Sequence, residues 1–196
     1  MEARLVARAR GGDREAFDGL VGIYAPQVYN LSLRITGSPE EAEDCVQETF
    51  LRAFAAIRSF RGQAAFFTWL YRVALNVARD AARRRIRSPL SASELVPRDD
   101  QNGLPDPTET AVADSRFALP EEVMFAERRR QIVLQAVAAL PPHHREVIVL
   151  YDLQGLSYEQ IARITGARVG TVKSRLNRAR LALKECLAPH LELLRG

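Results

Sequence analysis

The segment spanning residues 157–184 constrains the fold of this chain more than any other part of its sequence. It opens with Ser157 and, three residues later, Gln160, which is the capping-box pattern that begins a helix. Gly166 then interrupts the helical periodicity, and glycine is the residue that most easily adopts the left-handed conformation of a helix end. The periodicity resumes at Val169. The segment therefore predicts two short helices joined by a tight turn, a helix-turn-helix.

The second of these helices is strongly basic, with no acidic residue between positions 163 and 184. One face, at spacings i, i+1, i+4 and i+5, carries side chains that suit the edges of DNA bases: Lys173, Ser174, Asn177 and Arg178. Toward the flanks and the helix start lie four candidates for phosphate contact: Thr171, Arg175, Arg180 and Lys184. This pattern predicts a helix that enters a groove of duplex DNA, and the alternative is a solvated basic helix on a generic bundle.

Helical periodicity also dominates the remainder of the chain, which predicts an all-α fold of two small helical domains. Residues 88–120 interrupt the periodicity with five prolines and many acids, and have too little apolar content to fold alone. We expect a flexible acidic linker there, between a domain at 1–87 and a helix-turn-helix domain at 121–196. Val172 and Leu176, with Ile161, Ala162 and Ile164, are expected to form the small core of the second domain.

Helix boundaries in the first domain follow from proline, glycine and capping residues. Asp13 is expected to begin a helical region that Gly37 ends, with a kink or a break at Pro26. The next helix is expected to begin at Ser38, whose hydroxyl would cap it, and Glu41 would complete a capping box.

Aromatic and arginine residues alternate between positions 60 and 76, a mixture that suits single-stranded nucleic acid because rings stack on unpaired bases. For Phe66, Trp69, Leu70 and Val73, a place in the core at helical spacing remains the stronger alternative. The nucleic-acid interpretation is favoured for Phe60, Arg61, Arg72 and Asn76.

Neither a cofactor nor a metal is expected. Cys45 and Cys186 are far apart and fit two semi-buried thiols in a reducing compartment. The three histidines, His143, His144 and His190, have no metal-ligand spacing or carboxylate partners, which argues against an enzyme acting on nucleic acid. No apolar run approaches the roughly 20 residues that span a bilayer, so we expect a soluble, cytoplasmic protein with no membrane span.

Taken together, these blocks resemble the bacterial ECF (extracytoplasmic-function) sigma factors, small alternative sigma subunits of RNA polymerase, and in particular the sigma-E-like branch. The resemblance is carried by residues 44–50, 60–62, 66–76, 140–142 and 155–180. It implies a promoter-specificity subunit that is not an enzyme.

The resemblance also implies roles for individual residues. The clamp helices of the polymerase's largest subunit would bind Asp44, Gln47, Glu48, Phe50, Leu51 and Arg52, and the flap would bind the C-terminal domain. Phe60, Arg61 and Asn76 would hold a flipped base of the −10 element, with Trp69, Tyr71 and Arg72 beside the melted strand. The C-terminal domain would recognise the −35 duplex, and the acidic linker would thread the positively charged RNA path of the polymerase.

The family further implies an anti-sigma factor that occludes the polymerase-binding surfaces. Arg168 stands where relatives often carry a residue better suited to capping, so the second helix is expected to lack an N-cap hydroxyl. Asn177 lies at a position that varies among relatives, which leaves the −35 sequence open. A stand-alone helix-turn-helix activator or repressor is the competing hypothesis, and it predicts DNA binding without polymerase.

Overall fold

The computed structural model describes residues 1–62, 64–87, 120–191 and 193. In these ranges the chain forms eight α-helices with short 3₁₀ and π-helical turns, and they contain no strand. The chain divides into two compact units, Met1–Pro107 and Thr108–Gly196. The predicted all-α class is confirmed. The predicted linker at 88–120 lies outside the described residues apart from Pro120, which begins a helix.

The first unit contains four helices: α1 (Glu2–Arg10), α2 (Arg14–Thr36), α3 (Pro39–Ala56) and α4 (Phe66–Arg87). A 3₁₀ turn, Ile57–Ser59, follows α3. The largest fully buried side chains of the core come from α2, this turn and α4, and they include Leu20, Leu31, Ile57, Leu70 and Leu75, while α3 contributes smaller ones such as Ala42 and Ala53. Helix α1 was not predicted, because Val6 and Ala9 are its only buried residues and leave a weak apolar pattern.

Helix α2 continues through Pro26, so of the two predicted alternatives, a kink or a break, the break is wrong. Pro26 itself is exposed, while Tyr24 and Val28 on either side of it are buried in the core. The Pro26 carbonyl accepts a hydrogen bond from the Asn30 side-chain amide at 2.6 Å. Burial on both sides of the proline holds the helix together despite the missing backbone N–H.

The junction between α2 and α3 forms largely as predicted. Gly37 ends α2 in the left-handed conformation (φ 75°), and its N–H donates to the Leu33 carbonyl at 2.7 Å. The Ser38 hydroxyl accepts from the Glu41 N–H at 3.4 Å. The predicted return bond from Ser38 to Glu41 does not form, since the Ser38 N–H donates to the Thr36 hydroxyl instead. The capping box is therefore only half formed.

The second unit contains α5 (Pro120–Ala139), α6 (Pro142–Ile148), α7 (Tyr158–Thr165) and α8 (Val169–Leu187). A π-helical turn, Val149–Leu153, continues α6, and a 3₁₀ turn, Ala188–His190, follows α8. The Arg145 guanidinium donates to the carbonyls of Ala138 and Leu140, which closes the end of α5. No helix in the described parts of the chain is long and apolar enough to cross a bilayer.

The helix-turn-helix predicted from the sequence is formed by α7 and α8. Both bonds of the capping box are present between Ser157 and Gln160, and Gly166 ends α7 with φ 71°. Arg168 precedes α8 without a side-chain capping bond, as expected. The predicted core is confirmed for Ile161, Ile164, Val172 and Leu176, all at most 1% exposed, whereas Ala162 is half-buried.

Candidate nucleic-acid interface

The outer face of α8 presents the four side chains that the sequence assigns to base edges. Lys173, Ser174, Asn177 and Arg178 are all exposed, because the apolar positions on the opposite side are packed against α7. The Ser174 hydroxyl donates to the Thr171 carbonyl at 3.0 Å and keeps its acceptor side for another group. The structure therefore places these residues together on one surface.

The four predicted phosphate contacts differ in their surroundings. Thr171 and Arg175 are half-buried, while Arg180 and Lys184 are exposed. The Arg180 guanidinium forms an ion pair with Asp152 through two hydrogen bonds, one of them from Nε to Oδ2 at 3.2 Å. Hydrogen bonding to Asp152 also raises the pKa of Arg180. The two bonds use Nε and Nη2, and a guanidinium carries further donors at Nη1.

Two tyrosines beside α8 were missed by the sequence analysis. The Tyr151 and Tyr158 rings stack with their centroids 4.8 Å apart. Lys173 Nζ lies 5.4 Å from the centroid of Tyr158, and the Arg180 guanidinium carbon lies 5.2 Å from that of Tyr151. No sequence spacing indicates this arrangement, because it depends on the π-helical turn that carries Tyr151.

The histidine pair of α6 also lies near α8. His143 is exposed, whereas His144 is half-buried and its Nδ1 has no hydrogen-bond partner. Burial lowers the pKa of His144, and repulsion from His143, Arg178 and Arg175 lowers it further. The sequence did not indicate that His144 would lie close to these arginines of α8.

In the first unit, Trp69, Arg72 and Asn76 share one side of α4 at spacings i, i+3 and i+7. Arg72 and Asn76 are exposed and Trp69 is half-buried. The side-chain Oδ1 of Asn76 accepts a hydrogen bond from Arg79 Nη1 at 3.5 Å. This stripe presents one aromatic surface, one cation and one amide.

Phe60 lies at the end of this stripe as part of an aromatic cluster. Its centroid is 5.8 Å from that of Phe66 and 5.2 Å from that of Trp69, and only 8% of the residue is exposed. Arg61, the next residue, is exposed. The loop therefore presents Arg61 outward. Phe60 is buried and supports Trp69 from within, so its predicted direct contact with a flipped base is wrong.

Tyr71 does not belong to this surface, so its predicted place beside the melted DNA strand is wrong. It is 1% exposed, with its ring 4.1 Å from that of Phe67, and burial raises its pKa. Two residues along a helix correspond to a rotation of about 200°. Tyr71 therefore points away from the side that carries Trp69.

The predicted polymerase-binding residues line a groove of about 550 Å³ between α3 and α4. Five of the six lie there: Asp44, Gln47, Glu48, Leu51 and Arg52. The sixth, Phe50, is a correction, since it is 8% exposed and its ring meets that of Phe17 edge-on at 6.4 Å. Position 50 faces the core, whereas position 51 is 66% exposed.

The groove also contains charged residues that the sequence analysis missed. Glu41 comes from the start of α3, and Arg84 and Arg85 come from the arginine run that ends α4. Burial raises the pKa of Glu41 and the two arginines oppose that shift, while Glu41 Oε2 has no hydrogen-bond partner. The sequence did not indicate that Glu41, at the start of α3, would lie close to the charged end of α4.

The two cysteines are both free, but their environments differ. Cys45 is buried in the wall of the groove, and this burial raises its pKa. Cys186 is exposed, so the expectation of two semi-buried thiols is wrong for this residue. The described residues contain no group of three or more His, Cys, Asp or Glu side chains that could hold a metal ion.

Comparison with known proteins gives two family matches, each within one unit. The family Sigma-70 region 2 matches residues 20–88, and the family Sigma-70, region 4 matches residues 130–183. The ECF RNA polymerase sigma-E factors of Salmonella typhimurium strain LT2 and Escherichia coli strain K12 are each 40% identical over 185 residues, 94% of this chain and 93% of the relative. The RNA polymerase sigma-H factor of Pseudomonas aeruginosa is 37% identical over 190 residues, 97% and 95% of the two chains.

The solved structures that are similar to this chain include two complexes. CnrH in complex with the cytosolic domain of CnrY has a TM-score of 0.65 and 25% identity, covering 94% of this chain and 96% of CnrH. The sigma factor RpoE of Bartonella quintana, in complex with the anti-sigma factor NepR, has a TM-score of 0.63 and 27% identity, covering 88% and 96%.

An all-α chain with one unit matched by region 2, and a helix-turn-helix unit matched by region 4, defines the sigma-70 class of transcription proteins. Within that class, the identity of 40% over nearly the whole length shows that the chain belongs to the ECF RNA polymerase sigma factors. The family inferred from the sequence is confirmed, and the protein is accordingly not an enzyme.

Proposed function

We propose that this protein binds core RNA polymerase and directs it to promoters, with a −10-recognition domain at residues 1–87 and a −35-recognition domain at 121–196. The observation that carries the proposal is the outer face of α8. Lys173, Asn177 and Arg178 are exposed there together, on a helix whose inner side is fixed by a buried core. Residues 88–120 would connect the domains and thread the polymerase as an acidic linker.

Recognition of the −35 duplex divides between two sets of α8 residues. Lys173, Ser174, Asn177 and Arg178 contact base edges in the major groove, where lysine and arginine suit guanine and asparagine suits adenine. Contacts to the phosphates come from Thr171, Arg175, Arg180 and Lys184. The phosphate contacts set affinity and register, while the base contacts set the preferred sequence.

Recognition of the −10 element uses the stripe on α4 together with the loop before it. Flipping a base out of the stack costs a few kcal/mol, and stacking on an aromatic ring returns about 1 to 3 kcal/mol per base. Trp69 offers the half-buried ring, Asn76 offers a donor and an acceptor, and Arg61 and Arg72 lie where they neutralise the strand's phosphates. Phe60 acts from beneath by packing on Trp69.

Core polymerase binds the groove between α3 and α4 through its clamp helices, and its flap binds the C-terminal domain. The mixture of Asp44, Glu48 and Arg52 with the exposed Leu51 suits a partner helix that offers both charge and apolar area. Two similar structures were solved with an anti-sigma partner or a CnrY domain bound. We propose that an anti-sigma factor likewise covers the polymerase-binding surfaces of this protein.

Transcription reconstituted from purified components tests this function. Mapping transcription start sites after overexpression identifies the promoters, and run-off transcription then compares the full chain, core polymerase and their mixture. We expect specific initiation only from the mixture, and weak binding of free protein to duplex promoter DNA. Tight, specific binding to a palindromic site without polymerase would instead support the stand-alone regulator.

Two exposed apolar residues provide a test of polymerase binding and its matched control. Leu51→Asp is expected to abolish association with core polymerase without unfolding the protein, since the side chain lies at the groove and is exposed. Ile23→Asp changes an exposed residue of α2 outside the groove, so it should bind core polymerase normally. If both variants bind core polymerase equally well, the groove is not the polymerase-binding site.

A further inference from the structure

Two side chains of the DNA-facing helix α8 and two tyrosines beside it form a continuous stack, which we call the tyrosine ladder: Lys173, Tyr158, Tyr151 and Arg180. The two rings at its centre are nearly parallel, with an interplanar angle of 14° and a centroid separation of 4.8 Å. Lys173 lies over the ring of Tyr158, and Arg180 lies over that of Tyr151. A cation placed over an aromatic face is attracted by the ring's quadrupole.

The ladder links two elements to one face of α8. Tyr151 belongs to the π-helical turn, Tyr158 is the first residue of α7, and both cations belong to α8. Lys173 and Arg180 are seven residues apart, which places them on the same side of the helix about two turns from each other. Asp152, adjacent to Tyr151, closes the ladder by its ion pair with Arg180. The ladder therefore holds two positively charged side chains at a fixed spacing.

Such a support matters most for lysine, whose charge sits at the end of a flexible four-carbon stem. A lysine that already rests on a ring has less conformational freedom to lose when it meets a base, so binding is favoured by preorganisation. The Asp152 carboxylate and the Tyr151 ring likewise restrict the conformational freedom of Arg180. The two hydrogen bonds to Asp152 use Nε and Nη2, so the donors at Nη1 remain for a phosphate.

We propose that Tyr158 and Tyr151 are positioning residues for promoter recognition: Tyr158 presents Lys173 to a base edge, and Tyr151 with Asp152 presents Arg180 to a phosphate. This inference rests on the proposed recognition of the −35 duplex by α8. It adds two tyrosines and a carboxylate that belong to the π-helical turn and α7 rather than to α8.

The test measures how polymerase holoenzyme containing each full-length variant discriminates between a promoter and its single-base −35 substitutions. Tyr158→Leu should reduce discrimination about two- to fivefold at the position served by Lys173, the loss expected for one exposed cation–ring contact. Tyr158→Phe keeps the ring and should retain discrimination. Tyr158→Leu should have no further effect when Lys173 is already alanine, since contacting residues are not additive.

The Arg180 side of the ladder predicts a different signature. Tyr151→Leu and Asp152→Asn should each weaken binding to all −35 sequences alike, about two- to fivefold, because phosphate contacts carry no sequence information. Tyr29→Leu, a half-buried tyrosine in the other unit, is the matched control and should leave −35 discrimination unchanged.

A measurement on the free protein separates the ladder from the function on which it rests. The ε protons of Lys173 should show an upfield ring-current shift in NMR spectra, lost in Tyr158→Leu and kept in Tyr158→Phe. If wild-type holoenzyme does not distinguish −35 sequences, the proposed function fails whatever the spectra show. If it does, and Tyr158→Leu either matches wild type or adds fully to Lys173→Ala, the positioning role is overturned and the function stands.

Discussion

At the scale of single residues, Glu41 shows how position within a fold changes the chemistry expected from a sequence pattern. Its spacing from Ser38 predicts a carboxylate that returns a hydrogen bond at the helix start. In the structure one of its oxygens is buried without a partner, in a groove that also receives Arg84 and Arg85 from α4. A buried acceptor without a hydrogen bond reduces stability, so this residue costs the fold free energy.

Glu41→Gln should therefore stabilise the protein at neutral pH. Burial is the main cause that raises the pKa of Glu41 above 4.5, so the folded state holds the proton more tightly than the unfolded state. The resulting loss of stability is absent below about pH 4.5, develops as pH rises toward the folded pKa, and is complete above it. Urea denaturation at pH 7 and pH 4 should show a gain for Glu41→Gln that shrinks at the lower pH.

The matched control for this prediction is Glu40→Gln. Both carboxylates lie in the first turn of α3 and interact favourably with the helix N-terminus, but Glu40 is exposed. Glu40→Gln should give a small loss of stability at pH 7 rather than a gain. A loss of equal size in both variants would show that burial of Glu41 has no energetic consequence.

Residues 50 and 51 show what a helical pattern can and cannot assign. Neighbouring positions on a helix point about 100° apart, so the three consecutive candidates at positions 50–52 cannot all face the same side. Phe50 proved to be a core residue and Leu51 a surface residue. The apolar pattern predicted the helix correctly, but both side chains are apolar and only the packing of α2 against α3 distinguishes them.

At the scale of elements, capping decides how well each helix start is defined. The box at Ser157 has both bonds, with the Gln160 side chain accepting from the Ser157 N–H at 2.9 Å and the Ser157 hydroxyl accepting from the Gln160 N–H at 3.2 Å. The box at Ser38 has one bond, at 3.4 Å. The N-terminus of α7 is therefore stabilised by more capping hydrogen bonds than that of α3.

Ser157→Ala should destabilise the second unit by about 1 kcal/mol, the usual cost of losing an N-cap hydroxyl. Ser38→Ala should cost the first unit less, because its single bond is longer. Hydrogen exchange in the first turns of α7 and α3 measures both effects within the same intact chain. A larger loss of protection in α3 than in α7 would contradict this ranking.

The sequence does not predict the π-helical turn. The apolar pattern after Pro142 is typical of a continuous helix, whereas the structure changes to π-helical geometry at Val149. This change places Tyr151 on the Tyr158 ring and Asp152 on Arg180. π-Helical turns are rare and are frequently found at functional sites, and the location of this one beside α8 fits that tendency.

At the scale of the whole molecule, the two units perform separable parts of the proposed function. Each has its own buried core, and the family matches fall one in each unit. Substitutions on α4 should therefore affect the melted −10 strand, and substitutions on α8 should affect the −35 duplex.

Asn76→Ala and Arg178→Ala test this division. In holoenzyme, Asn76→Ala should impair open-complex formation more than promoter binding, because we propose that its amide contacts an unpaired base, which is available only after the duplex opens. Arg178→Ala should relax discrimination at one −35 position by about 1 to 3 kcal/mol, and Lys184→Ala should weaken all sequences alike. Permanganate footprinting follows opening, and competition binding follows discrimination. Unchanged opening in Asn76→Ala would exclude Asn76 from the pocket.

The sequence by itself determined most of the helices, their capping glycines, the helix-turn-helix and the family. These features depend on local signals: periodicity, backbone conformation at Gly37 and Gly166, and motifs of adjacent residues. Tertiary structure alone decided which side chains face outward and which distant residues meet. It placed Tyr71 and Phe50 in the core, brought Glu41 to the arginines of α4, and stacked Tyr151 on Tyr158. These outcomes depend on how helices far apart in sequence pack together, which local patterns do not specify.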